Sequence, residues 1–379
     1  MVLKVLWRRT VEMKNDSLEQ IRKEIDAVDR ELAALLEKRM DLAARVSEYK
    51  IKNNMEVLDA SREARVIENV LGAVSNKEYH ESVRAVFESI MAQSRKYQEK
   101  LMAGKNRKKY ALIGGKLSHS ISPAIHELIF QKANIDGTYE LCEARQEELP
   151  GFLQKLREQG FHGVNVTIPY KTEIMKYLDD ISGSAKAIGA VNTVVLGDRT
   201  EGYNTDYDGF GKTLEYHGFD PGGKVCAVLG SGGASMAAVS YLEDHGAAEI
   251  IIVSRNPGAA SGKFPGKRII ALGDYTAEET DLIVNATPVG MYPETGVSPL
   301  DKHQLAGASF LFDLIYNPKE TLLMKHAREL GIPCCNGLFM LVAQAVSAQE
   351  IWQGINFSPD LIKEIYSKMS EGDVHFYSF

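Results

Sequence analysis

The sequence predicts an α + α/β multidomain protein, a three-helix block followed by an α/β unit of two lobes. Three observations predict it. From Ser17 to about Met102 the chain has no proline and a single glycine, Gly72, and its apolar residues recur at helical spacing. After Gly104 glycine and proline become frequent, and short β-branched runs alternate with helix-length stretches, the pattern of a buried, mainly parallel sheet. One of those runs, Val225–Leu229, leads into Gly230-Ser231-Gly232-Gly233-Ala234 and an alanine-rich segment, a strand–turn–helix pattern.

The helical block begins at Ser17, which with Gln20 forms a capping-box signature. Leu18, Ile21, Ile25, Val28, Leu32, Leu35, Leu36, Leu42 and Val46 then mark one helix to about Lys52. Such a helix is about 50 Å long, longer than a globule of this size is wide, so it needs a second chain to cover it. A homodimer through these helices is expected. A second helix fits Ala60 to Ser75 and a third Tyr79 to Met102. Arg39 and Lys50, nearly three whole turns apart, share a face of the first helix, and Arg22 lies about 100° away. Ser94 and Gln98 are i,i+4 neighbours on the third.

Arg22, Arg39, Lys50, Asp59, Arg62, Glu63, Ser94 and Gln98 on this frame resemble the all-helical, intertwined chorismate mutases of the bacterial type, over about Ser17 to Leu101. The resemblance implies that Arg22 and Arg39 bind the two substrate carboxylates, with Arg22 supplied by the partner subunit. It implies that Lys50 and Gln98 hydrogen-bond the ether oxygen, and that Glu63 and the backbone near Asp59 hold the ring hydroxyl. Arg62 and Ser94 help to bind carboxylate. The residue types suit the chemistry. An intramolecular rearrangement needs no nucleophile, metal or cofactor, only a compact conformer and stabilisation of charge on the ether oxygen. Bidentate arginines supply the first and a lysine with an amide the second.

Beyond the basic stretch 104–109, which reads as a linker, strands are expected at Tyr110–Ile113, Thr138–Cys142, Gly163–Thr167, Ala190–Leu196, Val225–Leu229, Glu249–Val253, Arg268–Leu272, Asp281–Asn285 and Phe310–Leu314. The glycines after Leu229 let backbone approach a pyrophosphate seated at the N-terminus of a helix expected over Ser235–Glu243, with Ser235 at the usual third glycine. At the end of the next strand an acidic residue favours NAD. Here stand Ser254, Arg255 and Asn256, and the planar fork of Arg255 suits a 2′-phosphate, so NADP is the expected cofactor.

Ser118-His119-Ser120-Ile121-Ser122-Pro123 places alternate hydroxyls in a turn before a helix, an arrangement able to bind an anion. With Asn165-Val166-Thr167-Ile168-Pro169-Tyr170-Lys171, Gly189-Ala190-Val191-Asn192-Thr193, Gly202-Tyr203-Asn204-Thr205-Asp206, Asn285-Ala286-Thr287-Pro288-Val289-Gly290-Met291 and Asn336 to Gln344, it closely resembles the shikimate dehydrogenases, over about Lys109 to Lys368. The resemblance implies that Ser120 and Ser122 bind the substrate carboxylate and that Thr167, Lys171, Asn192, Asp206 and Gln344 hold ring hydroxyls. Lys171 and Asp206 are the implied catalytic pair, with Tyr316 near the substrate and Thr287 and Met291 at the cofactor. Ketone reduction needs a proton on oxygen, which a lysine oriented by a carboxylate can deliver.

The expected organisation is an arm over 1–15, with Met13 as an alternative start, the helical domain over 16–104, a substrate lobe over 107–206 plus 338–379, and a nucleotide lobe over 207–337. The chain of 379 residues carries a net charge of −7 and a pI near 5.8, which argues against a nucleic-acid partner. No apolar run is long enough to span a membrane, no signal h-region opens the chain, and no metal-ligand spacing surrounds Cys142, Cys226, Cys334 and Cys335. A cytoplasmic enzyme with buried thiols is expected. Its rivals are a helical module that senses chorismate or prephenate without turnover, and an NAD-dependent quinate/shikimate dehydrogenase.

Overall fold

The computed structural model describes residues 17–53 and 55–371, and no side chain over 102–106. The arm over 1–15, including Met13, lies outside the described residues. The chain divides into two compact units, 1–107 and 108–379.

The first unit is three helices: α1 (Leu18–Lys52), α2 (Ala60–Ala73) and α3 (His80–Asn106). Ser17 caps α1 by accepting the Gln20 N–H at 3.2 Å, but the Gln20 side chain donates to Glu24 instead of returning to the cap, so only half of the expected capping box forms. Asp59 caps α2 through the Arg62 N–H at 2.9 Å. The second helix stops two residues early, and a 3-10 turn over Lys77–Tyr79 leads into α3. The stretch 104–109, expected as a linker, is mostly regular structure: the helix continues to Asn106 and a strand starts at Lys108, with the boundary between the two units after Arg107. Only Ala43 and Ser47 of α1 are buried in a single chain. Leu18, Val28 and Leu35 are 64%, 61% and 65% exposed.

The second unit holds two six-stranded sheets. The first contains β1 (Lys108–Gly114), β2 (Gly137–Glu143), β3 (Phe161–Val166), β4 (Asp180–Ile181), β5 (Thr193–Leu196) and β6 (Thr200–Tyr203), in the order β2-β1-β3-β5-β6-β4. It is mixed: β1 pairs parallel with β2 and β3, whereas β5 runs antiparallel to both β3 and β6. Expecting one mainly parallel sheet missed β4 and β6, which are too short and polar for an apolar run. The strand expected over Ala190–Leu196 starts only at Thr193, because Asn192 turns its backbone into β3 and β6.

The second sheet is wholly parallel, in the order β12-β11-β10-β7-β8-β9. Its strands are β7 (Val225–Leu229), β8 (Glu249–Ser254), β9 (Arg268–Ala271), β10 (Leu282–Asn285), β11 (Phe310–Asp313) and the unforeseen β12 (Cys334–Cys335). Strand order reverses between β7 and β10, the switch point where such sheets open a crevice.

Four helices position the candidate residues. They are α4 (Ser122–Ala133), α7 (Thr205–Tyr216), α8 (Gly233–Asp244) and α12 (Leu338–Gln353), numbering α5 (Leu149–Glu158), α6 (Gly183–Ile188), α9 (Pro257–Ser261), α10 (Lys302–Leu305) and α11 (Leu322–Glu329) in chain order. Although it follows the second sheet, α12 packs Leu338, Val342 and Val346 against Ile121, Ile125 and Ile129 beside the first. Trp352 on α12 donates to the Val194 carbonyl at 3.0 Å and stacks on Tyr110. Cys226 and Cys335 are buried, which pushes the Cys226 thiol up to about 12. Cys142 and Cys334 are only half-buried, so the expectation of four buried thiols holds for two. No helix among the described residues is long and apolar enough to cross a membrane.

Candidate active sites

In the α/β unit, candidate residues meet where the first sheet presents the ends of β1 and β3. Lys171 follows β3, and its Nζ donates to Asp206 Oδ2 at 2.5 Å. The two side chains are 15% and 8% exposed, so the pair is nearly withdrawn from water. Asp206 is held there by the start of α7. Asn204 accepts the Tyr207 N–H as N-cap and donates to the Ala190 carbonyl at 2.8 Å. Because β5 is antiparallel to β3, Asn192, just before β5, sits beside the end of β3 and accepts the Val166 N–H. Its Nδ2 donates to Asp206 Oδ1 at 2.9 Å, so each carboxylate oxygen has its own donor. An ammonium with one N–H spent on a carboxylate keeps others for a substrate oxygen.

Ser120 and Ser122 precede and open α4, with 3.1 Å between their hydroxyl oxygens. Tyr316 joins this corner through a hydrogen bond from the Ile121 backbone, and its burial pushes the phenol above its ordinary range. Thr167 stands between β3 and Lys171, its amide bonded to the Ile113 carbonyl at 2.8 Å. Gln344 lies on α12 where that helix meets α7: a Cβ at Gly209 would come within 3.1 Å of Gln344 Cβ. Its amide nitrogen donates to the Leu341 carbonyl.

The glycine turn follows β7. Gly230 has φ +104°, and a Cβ there would lie 3.1 Å from Thr287 Cγ2 and 3.2 Å from the Ala286 carbonyl oxygen, so this bend needs glycine. Gly232 is the N-cap of α8 without a side chain, which leaves first-turn N–H groups open to an anion. A Cβ at Gly233 would sit 3.2 Å from Lys171 Cβ and Cδ, so the turn and the lysine border one another. Ala234 follows in the first turn, and Ser235 is fully buried, as close packing of α8 on the sheet requires. Arg255 is exposed past the end of β8, beside Ser254, which accepts the Asn256 N–H, and Asn256, which caps α9. Thr287 donates its amide and hydroxyl to Asn285 Oδ1, and Met291 is 40% exposed. This cradle fits a dinucleotide. Among the described residues no cluster of His, Cys, Asp or Glu is placed to hold a metal ion.

Several residues here were not singled out by sequence reasoning. Lys263 Nζ donates to the Ser231 carbonyl at 2.9 Å, across the glycine turn. Tyr139, Asn165, Thr193 and Thr205 form a buried polar group behind Asn192. Asn165, Thr193 and Thr205 stood within motifs already noticed, whereas Tyr139 had no local signal. His126 stacks on Tyr139 at 3.8 Å, and burial lowers its pKa to about 3.

In the helical unit, Arg39 donates to Ser94, which is buried and bonded to the Ile90 carbonyl. Ser47 donates to the Gln98 carbonyl at 3.4 Å, which brings that turn of α3 against α1. Lys50 reaches the Val57 carbonyl at 2.5 Å. The Arg62 amide, with the Ser61 hydroxyl and more weakly the Lys50 charge, holds the Asp59 carboxyl below its usual range. Glu63 pairs with Arg95, a residue the motif did not include. Arg22 is not with this group. It lies 17 residues before Arg39 on the same helix, about 25 Å along the axis, and is exposed.

A family model described as chorismate mutase type II matches residues 21–99, and one described as shikimate dehydrogenase substrate binding domain matches 112–194. The chain is 42% identical over 260 residues to a protein of Clostridium beijerinckii named shikimate dehydrogenase (NADP(+)), a match covering 68% of this chain and 96% of that one. Among solved structures, a chorismate mutase/shikimate 5-dehydrogenase fusion protein from Clostridium acetobutylicum superposes with a TM-score of 0.68 at 44% identity, covering 70% of this chain and 98% of that one. Shikimate 5-dehydrogenase from Thermus thermophilus, in complex with NADP(H) and shikimate, gives 0.63 at 34% identity, covering 69% and 99%. The chain therefore belongs to the shikimate dehydrogenase family, with a helical domain matching chorismate mutase type II fused ahead of it.

Proposed function

We propose that the α/β unit reduces 3-dehydroshikimate to shikimate with NADPH and that the helical unit rearranges chorismate to prephenate. The observation that carries the reading is the Lys171–Asp206 pair, nearly dry and bordering the glycine turn. NADPH, when bound, supplies the hydride. Lys171 donates a proton to the ring carbonyl oxygen, and Asp206 orients the ammonium and accepts from a neighbouring hydroxyl. Ser120 and Ser122 bind the carboxylate, with Tyr316 beside them. Thr167, Asn192 and Gln344 take the ring hydroxyls. Gly230 to Ala234 cradle the pyrophosphate, Ser254, Arg255 and Asn256 take the ribose phosphate, and Thr287 and Met291 border the nicotinamide. The NADP in the relatives' names, and the NADP(H) and shikimate in the Thermus thermophilus complex, support this assignment.

In the helical unit Arg39, Arg62 and Ser94 bind carboxylate together with an Arg22 from a second copy of the chain. Lys50 and Gln98 meet the ether oxygen, and Glu63 with the Asp59 backbone holds the ring hydroxyl. The exposed stripe of Leu18, Val28 and Leu35 on α1, and a groove between α2 and α3 lined by Ile67, Leu71 and Met91, support a homodimer in which helices exchange.

Steady-state kinetics on the intact chain test the reading. Shikimate with NADP+ is expected to outrun quinate or NAD+, with Arg255→Ala narrowing the gap between cofactors, and chorismate is expected to be consumed at a rate that Lys50→Ala abolishes. A preference for NAD+ with quinate overturns the dehydrogenase assignment. Chorismate bound without turnover makes the helical unit a sensor.

A further inference from the structure

We propose that Asn165 and Tyr139 are positioning residues for the dehydrogenase reaction, which hold the Asp206 carboxylate in place through Thr193 and Asn192. The proposal rests on the reading of Lys171 and Asp206 as the catalytic pair.

The inference comes from the direction of each hydrogen bond. Tyr139, on β2, donates its hydroxyl to Asn165 Oδ1 at 2.7 Å. That fixes which way the Asn165 amide faces, and its Nδ2 donates to Thr193 Oγ1 at 3.0 Å and to the Asn192 carbonyl at 3.2 Å. A threonine oxygen that accepts from an N–H keeps its own proton to give. Thr193 gives it to Asn192 Oδ1 at 3.1 Å. The same oxygen accepts the Thr205 N–H at 2.7 Å, so the oxygen end of the Asn192 amide is pinned and its nitrogen is turned to Asp206. From Tyr139 to the carboxylate each donor has its acceptor one step further along, with the Thr205 hydroxyl bridging Thr193 and Asn192 beside them, and bonds in such a chain strengthen one another in a dry interior. Asn165, Asn192, Thr193 and Thr205 are all buried. Burial also pushes the Tyr139 phenol well above its ordinary range, so it stays a donor. The three strand-borne members, Tyr139, Asn165 and Thr193, come from β2, β3 and the start of β5, and Asn192 directly precedes β5, so the framework of the first sheet sets where the α7 carboxylate points.

The sharpest test reverses the chain without changing its shape. Asn165→Asp puts an oxygen where Nδ2 was, so Thr193 must donate to it and Asn192 Oδ1 loses a donor. Shikimate oxidation is measured for Asn165→Asp, Asp206→Asn and the double variant, with the KM for NADP+ and the unfolding midpoint of each. We expect Asn165→Asp to lower kcat by roughly tenfold to a hundredfold with the KM for NADP+ unchanged. The double variant is expected to be no slower than Asp206→Asn alone, because a residue acting through Asp206 has nothing left to act on. Losses that multiply, or an unchanged kcat in Asn165→Asp, overturn the proposal while leaving the catalytic pair standing. Full turnover in Asp206→Asn overturns the pair and the proposal with it. If Asn165→Asp fails to fold, Tyr139→Phe, which deletes one hydroxyl, reports on the same chain: a severalfold lower kcat at unchanged KM supports it, and wild-type kcat overturns it.

Discussion

Lys171 and Asp206 are 35 residues apart, and the resemblance carried by their motifs together is what named them as a pair. Motifs carry residue type and a local turn. They do not say how such a pair is held. Asp206 owes its place to Asn192 on one oxygen and Lys171 on the other, and Asn192 owes its orientation to two threonines. For Lys171 itself we expect Lys171→Met to lower kcat for shikimate oxidation by about a hundredfold or more, with the KM for shikimate changed only a few-fold. Met keeps the stem that packs on Gly233 and removes the ammonium. Stopped-flow and steady-state rates separate the two effects, and a raised KM at full kcat would make Lys171 a binding residue only.

At the scale of elements, the helical block was the more readable part. Period and proline-free length gave α1 to the residue at its end, because helical hydrogen bonds are local and the pattern records them. The same helix shows what a single chain cannot satisfy: Leu18, Val28, Leu35 and several other apolar residues stay exposed, and Arg22 lies one-half of the helix away from Arg39. We therefore expect Val28→Glu combined with Leu35→Glu to sediment as a monomer and to lose nearly all chorismate turnover, with shikimate oxidation untouched. A dimer that persists with full mutase activity would remove the exchanged-helix arrangement. Strands were read less well. Those with a β-branched or aromatic stretch of their own were found, while β4, β6 and β12 were not, since such a short strand with little apolar sequence is recruited by its neighbours and not by its own composition.

For the molecule as a whole, the α/β unit carries an opposed pair of buried titrating groups. Burial lowers His126 to about 3 from 6.5, so between those values the unfolded chain takes a proton that the folded one refuses, and stability falls as pH falls. Burial raises Asp313 to about 6 from 3.8, so over that window the folded chain holds the extra proton, and stability rises as pH falls. The two slopes, each at most about 1.4 kcal/mol per pH unit, offset one another between about pH 4 and 6. His126→Leu removes one side of the balance. Urea unfolding at pH 7 and pH 5 should show this variant losing about 2 kcal/mol less than wild type on acidification, or gaining where wild type is flat. Equal changes in both would mean His126 is not held neutral. Periodicity and glycine placement in the chain alone gave the order of helical and α/β parts and the strand–turn–helix after Leu229, because these are written over a few neighbouring positions. Only the tertiary structure decided that the first sheet is mixed, that β4, β6 and β12 join the sheets, and that Tyr139, Asn165, Thr193, Asn192 and Asp206 are linked by one run of hydrogen bonds. Those are pairings between groups tens of residues apart, and a buried donor finds its acceptor through packing, which no local pattern records.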